Sequence, residues 1–134
     1  MKTAVCILFM TLALELARPA GAVVVATSPA VVELQAGASF TRARSRLLAL
    51  GWKPVRMHRD EGYEYSGTEK RLIARQFHEV DSCSTDRGSL CILYYTKQGA
   101  CLRVDTIGEQ VNLMRVTRWE YACPDGPGMG SGVR

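Results

Sequence analysis

After its first two dozen residues the sequence has no apolar run able to cross a membrane as a helix, which takes about 20 such residues. It has no G-x-S-x-G elbow, no glycine-rich loop to cradle phosphate between a strand and a helix, and no H-E-x-x-H pair. Those absences remove the common hydrolase, nucleotide-binding and zinc-peptidase readings. No two cysteines stand in C-x-x-C spacing, which argues against a structural zinc site. His58 has Asp60, Glu61 and Glu64 near it in sequence but no second well-spaced ligand. Neighbouring carboxylates on one loop also have no fixed separation, which glycoside chemistry requires. The expectation is a non-enzymatic protein with no catalytic residues, no metal and no cofactor.

What is present begins with an export signal over residues 1–22. Lys2 supplies the positive start, Ala4 to Leu14 is apolar but too short for a stable anchor, and Ala20-Gly21-Ala22 fits the small-x-small cleavage pattern. Glu15, Arg18 and Pro19 depart slightly from that pattern. The formal net charge of +4 falls a little when this segment is removed. So mild a charge aids solubility and gives weak attraction to polyanions, and it does not argue for specific nucleic-acid binding.

Of the five cysteines, Cys6 lies in the leader. Cys83, Cys91, Cys101 and Cys123 remain, an even number in a chain expected to be exported, which points to two disulfides. Four cysteines allow three pairings, and the sequence alone does not choose among them. Cys83–Cys91 with Cys101–Cys123 is favoured. The first pair closes a short loop rich in turn formers, and the second ties the last strand to the middle one.

Along the chain, residues 23–37 read as a loose leader or an edge strand, interrupted by Pro29. Residues 38–123 read as a single α+β domain, and 124–134, rich in Gly and Pro, as a flexible tail. A first helix is expected over Ser39–Leu50, capped by Ser39, with Phe40, Ala43, Leu47 and Leu50 on one face and Gly51 just beyond its end. Trp52–Val55 is a short strand, placed at a sheet edge by Pro54, with Trp52 under the helix. Residues 56–67 form a polar loop. A second helix is expected over Thr68–Glu79, opened by a capping box of Ser66 and Glu69, with a stripe of Leu72, Ile73, Phe77 and Val80. Three strands follow at Leu90–Tyr95, Ala100–Ile107 and Val111–Tyr121, the first two joined by a turn at Lys97–Ala100. The fold class is α+β: two helices on a small, mainly antiparallel sheet of three to four strands, stapled by disulfides.

The runs FTRARSRLLALGWKP (Phe40 to Pro54) and FHEVDSCS (Phe77 to Ser84), with Cys91 opening an apolar strand, resemble small exported proteins of Gram-negative bacteria that carry no assigned activity. The resemblance covers Phe40 to about Cys123. It implies a compact α/β domain, a disulfide at Cys83 and Cys91, and a periplasmic or secreted location, and it brings no catalytic residue. At a coarser level the helices followed by a β-meander resemble PepSY and β-lactamase-inhibitor-like domains, which bind other proteins.

The expected function is therefore a protein-binding or inhibitor-like module. Its candidate contacts are Tyr63 and Tyr65 on the loop and Arg115, Arg118, Trp119 and Tyr121 on the last strand, since aromatics and arginine dominate interface hot spots. The alternative is a weak binder of envelope polyanions through Arg42, Arg44 and Arg46 on the first helix. A structural envelope protein is the third reading.

Overall fold

The computed structural model describes residues 33–59 and 62–125. The expected signal segment, most of the leader, Asp60, Glu61 and most of the expected tail lie outside them. The described residues form an α+β fold: helices α1 (Phe40–Ala49) and α2 (Gly67–Ala74), and strands β1 (Lys53–Pro54), β2 (Val80–Cys83), β3 (Leu90–Lys97), β4 (Ala100–Ile107) and β5 (Arg115–Glu120). The strands make one antiparallel sheet of five, one more than the upper expectation. β3 and β4 are central. β5 pairs with the far side of β4, while β1 and β2 share the other edge of β3, β1 opposite Tyr95 and Thr96 and β2 opposite Cys91 to Leu93. Pro54 lies on an edge strand, where its missing N–H breaks no ladder.

Side chains alternate across a strand, and this alternation builds the core. Cys91, Leu93 and Tyr95 of β3, Leu102 and Val104 of β4 and Val116 of β5 are buried together with Phe40, Ala43 and Leu47 of α1, Leu72 of α2 and Trp52. Helix α1 ends as its sequence implies. Gly51 takes φ +85°, and the Trp52 N–H bonds the Leu47 carbonyl across the helix end. Leu50, expected on the core face, is instead the exposed cap residue. Ser39 makes no side-chain cap bond. Its hydroxyl pairs with Thr41 while its backbone bridges Arg115.

The second helix is shorter than expected. Gln76 adopts φ 64°, and the Phe77 N–H bonds the Leu72 carbonyl, so the chain leaves the helix in a glycine-type turn without glycine. Val80, expected on the helical stripe, opens β2 instead. The capping box also does not form. Glu69 is buried, and its carboxylate accepts from the Cys83 N–H at 2.8 Å and the Tyr63 hydroxyl at 3.1 Å. The third expected strand also changes: Val111–Leu113 is a 3-10 turn, and β5 starts only at Arg115. The mixed polarity of that stretch reflects this change, together with a register shift opposite Asp105 and Thr106.

The leader's described end runs along β5. The Gly37 N–H bonds the Val116 carbonyl, the Val116 N–H bonds the Ala38 carbonyl, and the Trp119 indole donates to the Leu34 carbonyl at 2.8 Å. This segment thus covers part of an otherwise open edge. Both favoured disulfides are present: Cys83–Cys91 joins directly opposed residues of β2 and β3, and Cys101–Cys123 ties the start of β4 to the chain beyond β5.

Candidate functional site: an arginine cleft beside the first helix

Helix α1 carries arginines at 42, 44 and 46, and a helix turns about 100° per residue. Neighbours two apart therefore diverge, and the structure sends Arg44 away from the other two. Arg44 turns inward. Its Nε donates to Glu79 Oε1, its guanidinium carbon sits 3.9 Å from the centre of the Phe77 ring, and the Tyr95 hydroxyl donates to the same Glu79 oxygen at 3.0 Å. Glu79 is fully buried, and its other oxygen has no partner among the described residues. Burial, with the adjacent Glu79 carboxylate adding, raises the Tyr95 phenol well above its ordinary value. Arg44 is thus part of the scaffold and does not join Arg42 and Arg46 in the polyanion-binding alternative expected of the first helix.

Arg42 and Arg46, four apart, share the outer side of α1. The chain running along β5 brings Arg115 to them. These three arginines, with Glu33, Gln35, Ser39 and Asn112 and the apolar Leu34 and Ala43, line an open cleft of ≈ 640 Å³. None of the three makes a salt bridge among the described residues, whereas Arg44, Arg103 and Arg118 all do. The Arg115 side chain makes, among the described residues, only a long contact, 3.5 Å, from Nη1 to the Gly37 carbonyl. The first turn of α1, which opens beside the cleft, contains no acidic residue. Each guanidinium offers a planar fork of donors suited to carboxylate or phosphate oxygens. The cleft can bind an anion, with the Glu33 carboxylate as the one acidic group among the residues that line it.

The other expected contact residues do not meet in one place. Tyr63 stacks on His58 with ring centres 3.5 Å apart and planes 8° apart, and Tyr65 stands edge-on to both rings. His58 Nε2 lies 2.6 Å from the Asp81 carbonyl of β2. The loop is therefore clamped to the edge of β2, and Tyr63, though 37 % exposed, is partly structural. Replacing Tyr63 with Ala removes this stack and one of Glu69's two bonds. The expected loss is about 1 kcal/mol, read as a fall of a few degrees in Tm. A loss several times larger would place the ring in the core. Trp119 packs on the core and Tyr121 contacts Trp52 and Trp119, while Arg118 belongs to the opposite sheet face with Asp105.

Among the described residues no group of three His, Cys, Asp or Glu stands close enough to hold a metal ion, and no helix is long and apolar enough to cross a membrane. Sequence reasoning missed the meeting of Arg115 with α1. The only signal for it was the β-branched, half-apolar character of the leader, which hinted at an edge strand. Compared with known proteins, the chain matches no family model, no curated protein and no solved structure.

Proposed function

We propose that this protein is a non-enzymatic, exported binding module that holds an acidic segment of a partner protein in the cleft of Arg42, Arg46 and Arg115. The observation that supports this reading is the convergence of three arginines, free of carboxylate partners among the described residues, on one concave site. Export fits the two disulfides, which persist in oxidising compartments, and it agrees with the expected signal segment. The coarse architectural resemblance to PepSY and β-lactamase-inhibitor-like domains, which bind other proteins, is in keeping with this reading.

An acidic peptide fits the cleft better than a long polyanion does. A polyanion needs an extended track of cations, and the inward turn of Arg44 removes the middle arginine from such a track along α1. What remains is compact, with the apolar Leu34 and Ala43 beside the guanidinium groups. That suits a few carboxylates flanked by apolar side chains.

The test is a fluorescence-anisotropy titration of the oxidised protein with a short Glu/Asp-rich peptide, a scrambled neutral peptide and a heparin oligosaccharide, at low and high salt. The acidic peptide is expected to bind saturably. Replacing Arg42, Arg46 and Arg115 with Gln together should weaken binding by at least about tenfold per arginine, about 1.4 kcal/mol each. The same change at Arg118, already paired with Asp105 and Glu120, should have little effect. Peptide binding unaffected by the triple replacement sinks the proposal, and binding of heparin alone moves the function to polyanion capture.

A further inference from the structure

We propose that the face of the sheet turned away from both helices is an interface between two copies of this chain. Strand alternation sends Cys91, Leu93 and Tyr95 into the core and leaves Leu90, Ile92 and Tyr94 on the other side of β3. One end of this second face is closed. The Cys101–Cys123 bond holds the chain beyond β5 there, and Tyr94 is buried, which raises its phenol above its ordinary value, with Arg103 opposing and Asp81, Asp125 and Asp105 adding. The other end is open: Leu90 is 54 % and Ile107 39 % exposed, directly paired across β3 and β4, with Ile92 half-buried beside them.

Beside this apolar strip stands a ring of four charges. Asp105 accepts from Arg103 Nε at 2.7 Å and from Arg118 Nη2 at 3.0 Å, and Glu120 lies 3.8 Å from Arg103 and 3.3 Å from Arg118. Two guanidinium groups and two carboxylates cancel. The chain as a whole carries +4, and the helix side presents Arg42 and Arg46, so two copies meeting through that side face like charge. Two copies meeting through the open face do not.

A twofold contact uses one patch twice, so each charge must find its opposite within the same patch. This patch meets that condition. Arg118 and Glu120 lie two apart on one strand, 58 % and 44 % exposed at their side chains, and have opposite signs. A partner of single charge sign would gain from only half of them. An apolar centre with a charged rim is also the composition of a protein interface.

Sedimentation velocity of the oxidised full chain across micromolar concentrations tests the proposal. The expected result is a reversible monomer–dimer equilibrium. Leu90→Asp should raise its dissociation constant at least about tenfold, with the circular dichroism spectrum unchanged because the Leu90 side chain does not belong to the core. Ile107→Asp should act in the same direction, and the triple glutamine replacement at the arginine cleft should leave dimerisation intact. A monomer at every concentration overturns the proposal, as does a dimer indifferent to both aspartates. A chain ending at Asp125 that dimerises when the full chain does not would show that the C-terminal residues occupy the face, and overturns it too.

Discussion

Replacing Arg44 with Met should lower stability by about 3–5 kcal/mol, the effect of leaving one member of a buried ion pair uncompensated. Glu79 is completely buried, and Arg44 is its only cationic partner among the described residues. Without the guanidinium, its carboxylate keeps one hydrogen bond, from Tyr95. A stability change of this size corresponds to a Tm lowered by more than about 10 °C in a domain of this length. Replacing the whole network with apolar residues (Arg44→Met, Glu79→Met, Tyr95→Phe) should be less damaging than Arg44→Met alone, because no charge is then stranded. Thermal melts of the parent, the single variant and the triple variant settle the matter, and a single Arg44→Met variant within about 1 kcal/mol of the parent would show that the pair is idle. Tyr95 adds a pH signature. Its raised folded-state value means that the folded chain keeps the phenol proton after the unfolded chain, titrating near 10, begins to lose it. The Tyr95 contribution is thus complete below pH about 10 and declines as pH rises from there toward the folded value. Tyr95→Phe should flatten this alkaline decline.

Breaking both disulfides should have an effect at least as large. The Cys101–Cys123 bond spans 22 residues and Cys83–Cys91 spans 8. On the chain-entropy model these loops contribute about 3.5 and 2.5 kcal/mol. Cys123 is exposed, so replacing Cys101 and Cys123 with Ala mostly removes the loop constraint and frees the segment beside Tyr94. Cys91 is fully buried, so its replacement also leaves a small void that narrows the difference between the two pairs. Both pairs together approach the total stability of many small domains. Reduction under native conditions is therefore expected to unfold a large fraction of the protein at 37 °C, measured by circular dichroism with and without reductant. An unchanged melt after full reduction would contradict this.

The parts of the fold that could be read from the sequence were those fixed by local chemistry. The 3–4 spacing of Phe40, Ala43 and Leu47 and the glycine at 51 located α1. Alternation and Gln98-Gly99 located the β3–β4 hairpin, where both turn residues take positive φ. Cysteine spacing favoured the observed pairs. What failed was decided by distant partners. Gln76 in a left-handed turn ends α2 with no local signal, and Val80 joins β2 because β3 lies beside it. Glu69 abandons its cap for the Cys83 N–H of β2. The same applies to the site. Arg42 and Arg46 were visible as a pair, but the burial of Arg44 depends on Glu79, 35 residues on, and Arg115 reaches α1 only because the leader pairs with β5.

The central claim, that Arg42, Arg46 and Arg115 act as one anion site, is tested most directly by amide and arginine side-chain NMR shifts during titration with the acidic peptide. The account predicts perturbations confined to residues 33–46 and 112–116, with the Arg42, Arg46 and Arg115 Nε–H signals moving together along one binding curve. Shifts centred on the Tyr63 loop or on Leu90 and Arg118 would contradict it, as would three arginine signals that stay still while the peptide binds.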